Sequence, residues 1–82
     1  MAEQLQEIGQ LIAAVCGVHA SAIQLDRDLR EYGMDSVRAV ELVVRLEEAF
    51  SISVPDEQVH QLRTLADVSA YVTRERSAAS AA

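Results

Sequence analysis

Ser36 is the residue in this sequence whose surroundings point to chemistry. It opens a helix-forming stretch and directly follows Asp35. A serine at a helix start is ordinarily a cap, but Asp35 already offers that cap, which leaves the Ser36 hydroxyl free to point outward. The N-terminus of a helix favours an attached anion such as a phosphodiester. No base is positioned by the sequence to activate Ser36, and the Gly-x-Ser-x-Gly elbow of hydrolases is absent. Ser36 is therefore unconvincing as a hydrolytic nucleophile and makes sense as an acceptor modified by another enzyme.

The stretch that follows, Ser36 to Phe50, has two faces. With Ser36 at zero and about 100° per residue, Leu42, Val43, Leu46, Ala39, Ala49 and Phe50 fall between roughly 220° and 340°. That arc is the expected core face. Ser36, Val37, Val40, Glu41, Val44, Glu47 and Glu48 fall between roughly 0° and 140°. A helix that only supports a fold more often carries polar residues on its outer side. Small apolar residues rimmed by acids suit a docking surface, where burial gives contact and charge gives orientation. The plainer alternative is that Val37 and Val40 tuck under the preceding loop as ordinary core. Arg38 and Arg45 lie on the flank, both in helical pairing range of Glu41, with Arg45 also in range of Glu48.

Other chemistry is sparse. Cys16 stands alone, so no intrachain disulfide can form, and it reads as a small core residue. His19 and His60 are isolated near helix ends, and no metal-ligand spacing exists. No glycine-rich phosphate loop is present. The balance of 7 Lys plus Arg against 13 Asp plus Glu leaves a net charge of −6, and every one of those basic residues is Arg. Such a surface repels nucleic acid and anionic lipid and suits basic partner surfaces. No apolar run is long enough for a membrane span and no signal-peptide pattern opens the chain, so the default expectation is a cytoplasmic protein, with neither nucleic acid nor membrane as partner.

These residues need elements to position them. The chain of 82 residues is expected to be one domain over 1–76, with an aliphatic core, since Phe50, Tyr32 and Tyr71 are its only aromatics. Leu5, Ile8, Leu11, Ile12 and Val15 predict a first helix over about Ala2–Cys16, stopped by Gly17. Val18 to Asp35 is a long connection that Ile23, Leu25, Leu29 and Tyr32 could pin. It ends in the turn Gly33-Met34-Asp35. Ser36–Phe50 is the second helix. Pro55 and Asp56 start a short third. Thr64, with Asp67 as a capping-box variant, opens the last, whose stripe is Leu65, Val68 and Val72. Residues 77–82, all Ala and Ser, are expected to form a disordered tail. The expected fold class is all-α: a small antiparallel four-helix bundle of three longer helices and one short one, with a long first loop.

In its motifs the chain resembles the acyl carrier proteins. Gly33-Met34-Asp35-Ser36-Val37 is similar to their Asp-Ser-Leu attachment motif. Ala39-Val40-Glu41-Leu42-Val43 and Leu46-Glu47-Glu48-Ala49-Phe50 resemble their second helix. Val54-Pro55-Asp56-Glu57 resembles the start of their third, and Thr64-Leu65-Ala66-Asp67-Val68 with Tyr71-Val72 resembles their last. The resemblance covers nearly the whole chain, in order. It implies a monomeric, non-catalytic carrier with 4′-phosphopantetheine covalently attached to Ser36. A phosphopantetheinyl transferase delivers the group from coenzyme A, with Mg²⁺ belonging to that enzyme. Acyl groups ride as thioesters on the terminal thiol, and the aliphatic core can open to shelter an acyl chain. Asp35, Glu41, Glu47, Glu48 and Asp56 match the family's acidic partner contacts, and Val40 and Val44 its apolar ones, with Val37 beside them. The implied partners are an acyl ligase or acyltransferase and ketosynthase-type enzymes.

Two positions depart from the family pattern. Val37 replaces the usual Leu, and Arg38 stands where primary fatty-acid carriers usually show an acid. Peptidyl carriers more often show Gly-Gly before the His/Asp-Ser pair, unlike Gly33-Met34. The expectation is a discrete carrier in polyketide or other specialised acyl biosynthesis. A peptidyl or aminoacyl carrier and a primary fatty-acid carrier stand as alternatives. A helical adaptor that never receives an arm is a further alternative, and an enzyme is disfavoured because no acid–base pair is visible.

Overall fold

In the computed structural model, which describes residues 2–81, the elements are α1 (Ala2–Cys16), α2 (Ser36–Phe50), α3 (Asp56–Val59) and α4 (Leu65–Ala81). Helix α1 packs against both α2 and α4. Ile8, Ile12, Val15 and Cys16 of α1, Leu42 and Leu46 of α2, and Leu65, Val68 and Val72 of α4 form one buried aliphatic cluster. The fold is the small all-helical bundle that the periodicities predict, and among the described residues it contains no strand.

Local chemistry sets the helix boundaries. Helix α1 stops because Gly17 takes a left-handed φ of 73°, and the amides of Gly17 and Val18 both donate to the Ala13 carbonyl. Helix α2 starts because the Asp35 Oδ1 accepts the Arg38 amide at 2.8 Å. In α4 the Thr64 Oγ1 accepts the Asp67 amide at 3.1 Å, the first half of the expected capping box. Tyr71 is buried, and its hydroxyl donates to the Ser53 carbonyl at 2.8 Å. Burial pushes its phenol pKa up.

The long connection is more regular than its sequence suggests. It contains two 3-10 turns, Ala20–Ala22 and Leu29–Tyr32. Leu29 is buried in the common core, while its amide donates to the Arg63 carbonyl at 2.8 Å. Leu25 does not pin the loop through its side chain, which is 49% exposed; its carbonyl instead accepts the Ala66 amide at 2.9 Å. The Tyr32 hydroxyl accepts the Gln24 amide at 2.8 Å. Asp28 caps the second turn: its carboxylate accepts the Arg30 amide and a two-pronged guanidinium contact from the same residue, and those bonds hold its pKa down to about 2.

Several expectations need correction. The last helix runs past residue 76: the backbone of residues 77–81 continues α4, in keeping with alanine being the best helix former, and Ala82 lies outside the described residues. Ala49, placed on the core arc, is exposed, because it sits at the arc's edge where no neighbouring helix covers so short a side chain. The pairings of Arg38 and Arg45 with glutamates on α2 are absent from the described ion pairs, which are Arg27–Glu31, Arg30–Asp28 and Arg63–Asp28. Exposed helical pairs of this kind gain too little to order two long side chains.

Candidate functional site

The turn before α2 is built from both sides. Upstream, the Leu29–Tyr32 turn closes on Gly33, whose φ of 97° is left-handed; the Gly33 amide donates to the Arg30 carbonyl at 3.1 Å and the Met34 amide to the Leu29 carbonyl at 3.2 Å. Downstream, Asp35 caps α2, as above. Between them Ser36 is exposed, and among the described residues its hydroxyl takes part in no hydrogen bond. With Asp35 holding the cap, Ser36 Oγ stands unclaimed at the positive end of a 15-residue helix. An open cleft of about 320 Å³ lies beside this turn, lined among others by Leu29, Met34, Val59, Leu62 and Arg63.

The valine stripe is out in solvent. Val37 is 78% exposed, Val40 64% and Val44 45%. This excludes the alternative that Val37 and Val40 tuck under the loop. Glu41 and Glu48, on the same helical arc, are exposed, and so are Asp35 and, at the first position of α3, Asp56. Glu47 differs. It is half-buried, and its Oε2 accepts the Val54 amide at 3.0 Å, so one oxygen of the expected partner contact is turned inward to hold the α2–α3 linker. The sequence carried no signal for this bond, because a seven-residue span across a helix end follows no helical spacing.

Cys16 is buried in the core, and desolvation raises its thiol pKa. Nothing in its setting makes it a nucleophile. Among the described residues no cluster of His, Cys, Asp and Glu could hold a metal ion, and no helix is long and apolar enough to cross a membrane.

One contact was not anticipated. The Arg38 side chain turns away from the glutamates and donates from Nη1 to the Gly33 carbonyl at 2.9 Å. A Cβ on Gly33 would lie 2.8 Å from that nitrogen. A reader of the sequence could see Gly33 as a turn residue, but not that an arginine five positions on occupies the space a side chain would need.

An exposed, unclaimed serine hydroxyl at a capped helix start, beside an uncovered apolar stripe with an acidic rim, is what a covalently loaded carrier domain requires. Comparison with known proteins agrees. Residues 6–72 match the family described as "Phosphopantetheine attachment site". The acyl carrier protein of Rhodococcus erythropolis is 33% identical over 73 residues, covering 88% of this chain and 80% of that protein. Those of Akkermansia muciniphila and Syntrophobacter fumaroxidans are each 36% identical, over 70 residues (84% of this chain, 88% of the relative) and 73 residues (88% and 90%). The chain belongs to the acyl carrier protein family. It is accordingly a non-catalytic carrier that works with enzymes handling acyl groups, and its prosthetic group is a covalently attached 4′-phosphopantetheine. The Ser36 turn fits that group: the hydroxyl can form the ester bond, and the helix end favours the resulting anion.

Proposed function

We propose that Ser36 bears the phosphopantetheine arm and that the chain carries acyl intermediates in polyketide or other specialised acyl biosynthesis. The observation that carries the attachment reading is the free Ser36 hydroxyl, released from capping by Asp35. When bound, the arm supplies a terminal thiol that holds acyl groups as thioesters. The chain's own residues do three things. Asp35 and the α2 amides fix the attachment point. Val37, Val40 and Val44 offer a partner the apolar area that desolvation makes favourable. Asp35, Glu41, Glu48 and Asp56 orient a basic partner surface, with Glu47 adding its charge from a half-buried position. The partners are a phosphopantetheinyl transferase, an acyl ligase or acyltransferase, and ketosynthase-type enzymes, met in the cytoplasm by a monomeric domain over residues 1–76.

The pathway reading rests on Arg38. An arginine in place of the acid usual in primary fatty-acid carriers puts a positive charge two residues from the attachment point, where basic fatty-acid enzymes meet repulsion. The test loads the purified carrier with one acyl group and offers it to polyketide-type and fatty-acid-type ketosynthases. The polyketide-type enzyme is expected to have the higher kcat/KM. Equal or faster turnover by the fatty-acid enzyme would overturn the pathway reading and leave the attachment reading standing.

A further inference from the structure

Arg38 contributes twice to the same turn. Its amide donates to the Asp35 Oδ1 at 2.8 Å, and its guanidinium donates to the Gly33 carbonyl at 2.9 Å. The two bonds close a ring over residues 33–38 with Ser36 inside it. The first bond is an ordinary helix cap. The second joins the helix to the backbone upstream of the serine, and it depends on Gly33 for two reasons. Gly33 takes a left-handed φ of 97°, which disfavours other residues, and a Cβ there would lie 2.8 Å from Arg38 Nη1. The guanidinium thus fills the space that the missing side chain leaves. Arg38 makes no ion pair among the described ones, so its contact with Gly33 is not incidental to pairing with a carboxylate elsewhere.

We infer that Arg38 is a positioning residue for arm attachment: with Gly33 it clasps the turn so that the Ser36 hydroxyl is held ready for transfer. This rests on the reading of Ser36 as the attachment point. In the transfer, Ser36 Oγ forms a bond to the β-phosphorus of coenzyme A and the pyrophosphate bond breaks. Adenosine 3′,5′-bisphosphate leaves, and the hydroxyl proton passes to a base on the transferase. The chain's contribution is to keep its nucleophilic oxygen from wandering, and misplacement of a reacting group by about 1 Å can cost on the order of a hundredfold in rate. An exposed clasp of one charged hydrogen bond restricts less than that.

The test follows phosphopantetheine addition by intact mass. It uses the full chain, coenzyme A, Mg²⁺ and a broad-specificity phosphopantetheinyl transferase, with circular dichroism showing each variant folded. R38Q is expected to lower kcat about tenfold with KM changed less than about twofold. Gly33→Ala, which must displace the guanidinium, is expected to lower kcat similarly. The double variant should be no slower than the slower single one, because both remove the same contact. Wild-type kcat in R38Q would overturn the inference, as would fully multiplicative losses in the double variant. A loss confined to KM that disappears at high salt would make Arg38 a docking charge instead. Failure of the attachment reading looks different: wild type gains no mass, or Ser36→Ala gains it as wild type does.

Discussion

At the scale of single residues, the same side-chain type does different work according to what its polar atoms already hold. Asp35 gives its Oδ1 to the Arg38 amide, and Ser36 is left free. Among the glutamates of α2, Glu47 gives an oxygen to the Val54 amide while Glu41 and Glu48 stand exposed. The two groups should separate on measurement. Glu47→Ala is expected to destabilise the fold by about 1 kcal/mol, because it leaves a partly buried linker amide without its acceptor. Glu41→Ala and Glu48→Ala are expected to stay within about 0.5 kcal/mol. Urea unfolding of the variants checks this, and the order should invert in partner assays, where the exposed acids matter more. That Ser36 is left out of the helix cap was legible in the sequence, because capping rules act between neighbours and Asp35 adjoins it. The Glu47–Val54 and Arg38–Gly33 bonds were not. They cross helix ends at spacings of seven and five, which no local periodicity marks.

At the scale of elements, α1 and α2 could be read nearly to the residue. Gly17 and Asp35 end and begin them by chemistry that needs no tertiary partner. The loop was harder. Its 3-10 turns have no apolar period of their own, and what holds them is a set of backbone bonds to the α3–α4 region, from the Leu29 amide to the Arg63 carbonyl and from the Ala66 amide to the Leu25 carbonyl. Asp28 is the side chain that organises the turn leading into Gly33. Its pKa is held from 3.8 down to about 2, chiefly by the Arg30 side chain. A folded-state pKa below the unfolded value means a stabilisation fully present above pH 3.8 and lost as pH falls through about 2. A carboxyl NMR titration is expected to place the Asp28 midpoint well below an ordinary aspartate, and Arg30→Gln to move it back upward. An unmoved midpoint in that variant would show that the guanidinium is not the cause. The tail illustrates a different limit: an Ala and Ser run is compatible with both a frayed end and a helix, and here α4 continues through it to Ala81.

At the scale of the whole molecule, one aliphatic core between α1, α2 and α4 leaves the outer side of α2 uncovered by any of the described residues. The valines there are exposed because the domain ends at that face, and the acids around them carry part of a net charge of −6. The fold class was legible because apolar residues at helical spacing dictate which faces meet. The sequence alone could not decide between a docking stripe and extra core for Val37 and Val40, since that depends on where the loop runs. On the reading proposed above, this surface is arranged around one covalent attachment point at Ser36. The decisive measurement is the intact mass of wild type and Ser36→Ala after incubation with coenzyme A, Mg²⁺ and a broad-specificity phosphopantetheinyl transferase. Wild type is expected to gain one phosphopantetheine and Ser36→Ala none. A folded wild type that stays unmodified with a second transferase as well, or an Ser36→Ala variant that is modified, would contradict that reading.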